Sequence, residues 1–136
     1  MTTSIPTSTP VLVFTGDWQV QYYNNEDLTG TPIVTRSESA VNYRWDGQAP
    51  APGLPTERWS ARWSTSHCFQ AKNVLFYMEY DDGMRVIVNN KVVIDHLDGP
   101  PSKIWKEIQV LGCTSITVEY RQLTGGSYIK FGWTNP

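Results

Sequence analysis

The chain lacks most of what would send it to a membrane, a nucleic acid or a transition metal. In its 136 residues no apolar run approaches the roughly 20 residues a bilayer-spanning helix needs, so membrane insertion is not expected. Its two cysteines, Cys68 and Cys113, permit one internal disulfide at most. Sequence does not supply the Cα spacing that would decide between that bridge and two buried thiols. An excess of one charge is also missing. Against 13 acidic residues stand 11 basic ones with no Lys/Arg cluster, which argues against a nucleic-acid partner. The two histidines, His67 and His96, are isolated, with only Asp95 and Asp98 near the second, a poor set for a transition metal. No stretch of about a dozen residues carries a 3.6-residue apolar period. Nor is there a Ser-His-Asp constellation with a recognisable turn motif, or a phosphate-cradling glycine loop. Glycoside hydrolysis needs two opposed carboxylates. Asp81 and Asp82 share one turn, and Glu79 and Glu119 lie on strands with nothing to pair them. Catalysis is not expected.

What the chain does have is aromatic and β-branched residues, with 6 Trp and 7 Tyr, in period-two alternation. Successive strand side chains point to opposite faces, so this pattern predicts half-buried strands. Val74–Asp95 is the clearest stretch. Val74, Phe76, Met78 and Tyr80 share one face, then Met84, Val86 and Val88, then Val92 and Ile94. Asp82-Gly83 and Asn89-Asn90 read as the tight turns between these strands. Further strands are expected at Gly16–Asn24, at Ile33–Arg36 and Val41–Trp45 as two strands or one broken strand, and at Arg58–Gln70, Ile104–Leu111, Ile116–Arg121 and Tyr128–Trp133, with a short edge strand at Val11–Phe14. The proline-marked run Asp46–Pro55 reads as a long loop, functional or covering a sheet edge. The reading is all-β: an antiparallel β-sandwich or β-barrel of about nine or ten strands in one domain over residues 16–134. The Ser/Thr/Pro-rich residues 1–15 read as a flexible, linker-like segment without the features of a secretion signal.

The order of the strings GDWQVQYYNNEDLTGTPIVTR, VNYRW, LPTERWSARW, YDDGMRVIVNNKVVID and ITVEYRQLTGG…KFGW resembles a known family. It is the fourteen-kilodalton domain first seen in the amino-terminal fragment of anthrax protective antigen, which recurs in bacterial glycosidases, toxins, surface proteins and yeast flocculins. The resemblance runs from Gly16 to Trp133. Two positions depart from it: Lys72-Asn73 stands where relatives usually have a turn glycine, and Leu97 where they have a tryptophan-like residue. The resemblance implies a β-sandwich or barrel that binds a glycan or polysaccharide, without catalysis, beside other domains and outside the cell or at its surface.

The resemblance also implies a site. In flocculin-type members the pair matching Asp81 and Asp82, joined by a cis peptide, holds a calcium ion that coordinates sugar hydroxyls. Calcium is therefore the cofactor to test, with Asp81 and Asp82 as its side-chain ligands. The competing reading is a plain Asp-Asp-Gly turn whose carboxylates cap backbone amides. Relatives contribute an Asn from a later loop; the matching segment here, Gln122–Ser127, has none. Gln122, Gly125 and Gly126 remain its ligand-contact candidates. Trp18, Trp45, Trp59, Trp63 and Trp133 share parity with apolar residues and belong to the core. Trp105, Tyr128 and Tyr23 fall on polar parities and are expected at the surface, where an exposed ring marks a binding site. The alternative to sugar binding is a structural or assembly domain that binds protein partners.

Overall fold

The computed structural model describes residues 12–13, 15–110 and 112–134. Most of the linker-like opening lies outside these residues. Pairing begins within its last part, at β1 (Leu12–Val13), so the expected edge strand forms. There follow β2 (Thr15–Tyr23), β3 (Val34–Arg44), β4 (Trp59–Cys68), β5 (Asn73–Asp81), β6 (Gly83–Val88), β7 (Lys91–His96), β8 (Ser102–Gln109), β9 (Cys113–Gln122) and β10 (Tyr128–Thr134). All pairings are antiparallel, and the fold is all-β as expected.

Two layers form from one curved sheet of order β7-β6-β9-β4-β2-β3-β10-β5-β8, with β1 beside β10. Of the two readings near residues 33–45, two strands or one broken strand, the structure shows the single one: β3 is one long strand that joins the layers. The Val34–Ala40 part of β3 pairs with β2, and Val41–Arg44 pairs with β10. Between the layers lie the alternating apolar residues, with Trp18, Trp59, Trp63, Tyr22, Tyr120, Phe76 and Phe131 fully buried. Trp45 and Trp133 are buried with them, as their parity predicts. The Asp46–Pro55 loop places Ala51 and Leu54 in this core, so it covers one end of the sandwich. The layers do not close on each other at β7 and β8. Lys106 Nζ, on β8, donates to the Val93 carbonyl across that gap at 2.8 Å.

Asn89 and Asn90 both adopt positive φ, 50° and 66°, and make the expected hairpin between β6 and β7. The other expected hairpin does not form. β5 pairs with β8 and β10, whereas β6 pairs with β7 and β9, so Asp81-Asp82-Gly83 carries the chain from one layer to the other. Val92 is a second correction. It shares parity with buried Ile94 but is 50% exposed, near a register shift where β7 pairs with β6. The cysteine question resolves to the bridge: Cys68 and Cys113 are direct partners at the ends of β4 and β9 and are disulfide-bonded. Glu119 is not unpaired: its carboxylate lies between Arg62 and Arg85, at 2.8 and 2.7 Å. Glu79 accepts a hydrogen bond from the Tyr77 hydroxyl at 2.5 Å.

Candidate functional site

The crossover at Asp81-Asp82 meets two other segments at one rim of the sandwich. β10 lies between β3 and β5, so the end of β3, the end of β5 and the β9–β10 loop converge there. The Asp81–Asp82 peptide bond is cis, as the resemblance implies. Asp82 Oδ2 accepts hydrogen bonds from the backbone N–H groups of Leu123, at 2.7 Å, and Thr124, at 3.2 Å. Part of the plain-turn reading is therefore realised, but toward a distant loop rather than within the turn.

A third carboxylate joins the pair, one that pattern reading did not find. Asp46 Oδ1 accepts from Ser127 N–H, and Asp46 Oδ2 pairs with Arg44, both at 3.2 Å. Around a Cβ built on Gly126, Asp81 Oδ2 would lie at 3.2 Å and Asp46 Oδ1 at 3.7 Å. Glycine there leaves that space free of any side chain. Asp81 feels the crowding: its carboxyl is pushed up to about 6. Burial is the largest cause, followed by a hydrogen bond with Asp82 and the charges of Asp82 and Asp46, while Arg44 acts the other way. The Tyr120 hydroxyl is also pushed well up, by burial first and then by the charges of Asp82, Asp81 and Asp46. This is a site with more negative charge than its one guanidinium balances.

Oxygen donors of this hardness suit calcium, which takes about six to eight of them. Among the described residues no group of three or more His, Cys, Asp or Glu side chains is placed to hold a metal ion. A cation here would rest on Asp81 and Asp82 and draw its other oxygens from elsewhere. The donor chemistry fits, with the protein supplying only part of the shell.

The remaining candidates divide. Gln122 is fully buried; its Oε1 lies 2.9 Å from the Tyr120 hydroxyl and its Nε2 donates to the Gly125 carbonyl at 3.2 Å. It holds the loop from within. Gly125, at φ +81°, has open space around it, and its N–H donates to Glu57 at 3.2 Å. Tyr128 is half-buried at the rim, in register with both Asp81 and Arg44, and the Arg44 guanidinium lies 4.4 Å from its ring centre. Trp105 is exposed as expected, but it lies away from the rim, opposite Tyr77 on β8. Tyr23 is the correction. It is only 4% exposed, its hydroxyl bonded to Gln21 and Arg62 at 3.0 Å each, because long side chains close over it on the outer face.

A β-sandwich built around such a crossover and rim is the architecture of a known class, and the sequence places it there. The chain belongs to the PA14 domain family, whose sequence profile matches residues 16–136. It is 25% identical over 120 residues to the anti-sigma-I factor RsgI3 of Acetivibrio thermocellus, a match covering 85% of this chain and 18% of that protein. An anti-sigma factor domain-containing protein from Clostridium clariflavum superposes with a TM-score of 0.78 at 27% identity, over 89% of this chain and 42% of that one. The chain thus spans less than half the length of these two relatives. The PA14 sugar-binding domain from an RTX adhesin shares the fold, with a TM-score of 0.57 at 12% identity over 88% and 89% of the two chains.

Proposed function

We propose that this domain is a non-catalytic carbohydrate-binding module that takes its ligand at the Asp81-Asp82 rim. The observation that carries the reading is the convergence of Asp46, Asp81 and Asp82 beneath a loop position, Gly126, that has no side chain. Calcium is the expected cofactor, held by Asp81 and Asp82. When bound it would supply a positive centre at which sugar hydroxyls can serve as oxygen donors. The chain's own residues do the rest. The Leu123 and Thr124 N–H groups fix Asp82, Tyr120 braces the Asp81 carbonyl, and Tyr128 stands in register beside Asp81. The RTX adhesin domain that shares this fold is a sugar-binding one, which supports this reading. The Cys68–Cys113 bridge supports a location outside the reducing cytoplasm, at the cell surface or beyond. No helix among the described residues is long and apolar enough to cross a membrane.

A second reading has its own support. The two anti-sigma matches favour a domain within a regulatory protein, working by contact with a protein partner and without sugar. Screening the domain against immobilised glycans in calcium and in chelator separates the two. Calcium-dependent capture by any glycan supports the first reading. Absence of capture across the screen, with and without calcium, hands the site to the second.

A further inference from the structure

We propose that the outer face of the β8-β5-β10-β3 layer is a second subsite, one that holds a neutral, extended polysaccharide chain running away from the acidic rim. The proposal rests on the carbohydrate-binding reading above and adds to it the length and charge class of the ligand.

Along the outward parity of β5, three rows cross the sheet. Trp105 stands opposite Tyr77; Lys103, Glu79, Lys130 and Asn42 form the next row; Asp81, Tyr128 and Arg44 form the third. From Tyr77 to Asp81 is four residues, about 13 Å of strand. An aromatic ring therefore stands at each end of one face, with a polar row between. A shallow recess of about 260 Å³, lined by Asn42, Arg44, Glu79, Tyr128 and Lys130 among others, lies beside the Tyr128 end.

Trp105 is built for contact. The residue is 49% exposed, yet its indole contacts the Tyr77 ring with centres 4.6 Å apart. Tyr77 in turn is buried and tied to Glu79 at 2.5 Å, with the Lys103 ammonium 5.8 Å from its ring centre. A ring braced in this way has less freedom to lose when something stacks on it. At the far end the Arg44 guanidinium covers one side of Tyr128 in the same manner.

The surroundings select the ligand. The other large apolar side chains exposed among the described residues, Ile33 and Val92, lie outside the three rows, one before β3 and the other on β7. A protein interface centres such a ring among apolar neighbours. A pyranose instead presents a flat C–H face to an aromatic ring and a border of hydroxyls to polar groups. The middle row sets two ammonium groups, Lys103 and Lys130, against the one carboxylate of Glu79; with Arg44, Asp81 and Asp46 at the rim end, the track holds three positive and three negative side chains and favours no net charge. Hydroxyls can donate to the carboxylate and accept from the ammonium groups. A polyanion would meet Glu79 and then Asp81 on the same track.

The test uses the intact domain with three soluble probes: hydroxyethyl cellulose and galactomannan as neutral chains, and polygalacturonate as an acidic one. Affinity electrophoresis of wild type, Trp105→Ala and Trp105→Tyr reads binding, and thermal unfolding checks that each variant is folded at the temperature of the assay. The expected result is retention of wild type by a neutral probe, at least tenfold weaker retention of Trp105→Ala, and substantial recovery in Trp105→Tyr. Binding of short oligosaccharides at the rim stays unchanged in both variants. Equal retention of Trp105→Ala and wild type overturns the subsite while leaving the carbohydrate reading in place. Preference for polygalacturonate overturns the neutral class. Retention of wild type by none of the three overturns the subsite, and the glycan screen with short ligands then decides separately whether the rim binds sugar.

Discussion

A methyl group at position 83 has nowhere to go. Built on Gly83, it would overlap the Leu97 carbonyl oxygen and lie 2.7 Å from the carbonyl carbon. The glycine of Asp-Asp-Gly is thus required by close packing where the chain changes layer, and not by a hairpin φ. Gly83→Ala is expected to lower stability by about 3 kcal/mol or more, read from the urea midpoint. A loss under about 1 kcal/mol would mean the crossover relaxes freely. Asp81 supports a second prediction at this scale. Its folded carboxyl is raised from 3.8 to about 6, so protonation favours the folded state. The stabilising contribution is complete below about pH 4 and is lost as pH rises through 6. In chelator, the wild-type midpoint minus that of Asp81→Asn should therefore fall between pH 4 and pH 7. Solvent screening keeps the change to at most a few degrees. A flat difference would remove the carboxylate crowding from the account. Sequence reading found Asp81 and Asp82 because two acids in one turn are conspicuous. It missed Asp46, whose Asp-Gly reads as ordinary loop chemistry until β10 brings β3 beside β5.

At the scale of the element, alternation placed nearly every strand, because each strand has one face on the core and one on solvent. Pairing was less legible. Asp82-Gly83 carries the same local signal as a hairpin turn, yet β5 and β6 belong to different layers, a fact set by partners dozens of residues away. Tyr23 shows the same limit on a smaller scale. Its parity points outward, but Arg62 from β4 seals it in. The β4–β9 pair also carries the covalent link. Cys68 and Cys113 are 45 residues apart in sequence, and closing a loop of that length is worth about 4 kcal/mol by unfolded-chain entropy. Reductant should lower stability by about 2–4 kcal/mol, measured by chemical unfolding with and without it. Rapid labelling of both thiols in the untreated native protein would contradict the bridge.

For the whole molecule, different regions do different work. The aromatic interior and the β4–β9 staple hold the sandwich together, and the rim gathers carboxylates without a full counter-charge. That is why removing the acids should cost the ligand and leave the fold. The most direct measurement is thermal unfolding of wild type and of Asp81→Asn combined with Asp82→Asn, each in calcium and in chelator. A cation that binds only the folded state stabilises it by about 2.7 kcal/mol at a hundredfold excess over its dissociation constant. The account predicts a wild-type midpoint several degrees higher in calcium than in chelator, and a double variant that folds but no longer responds. A wild-type midpoint indifferent to calcium would contradict it.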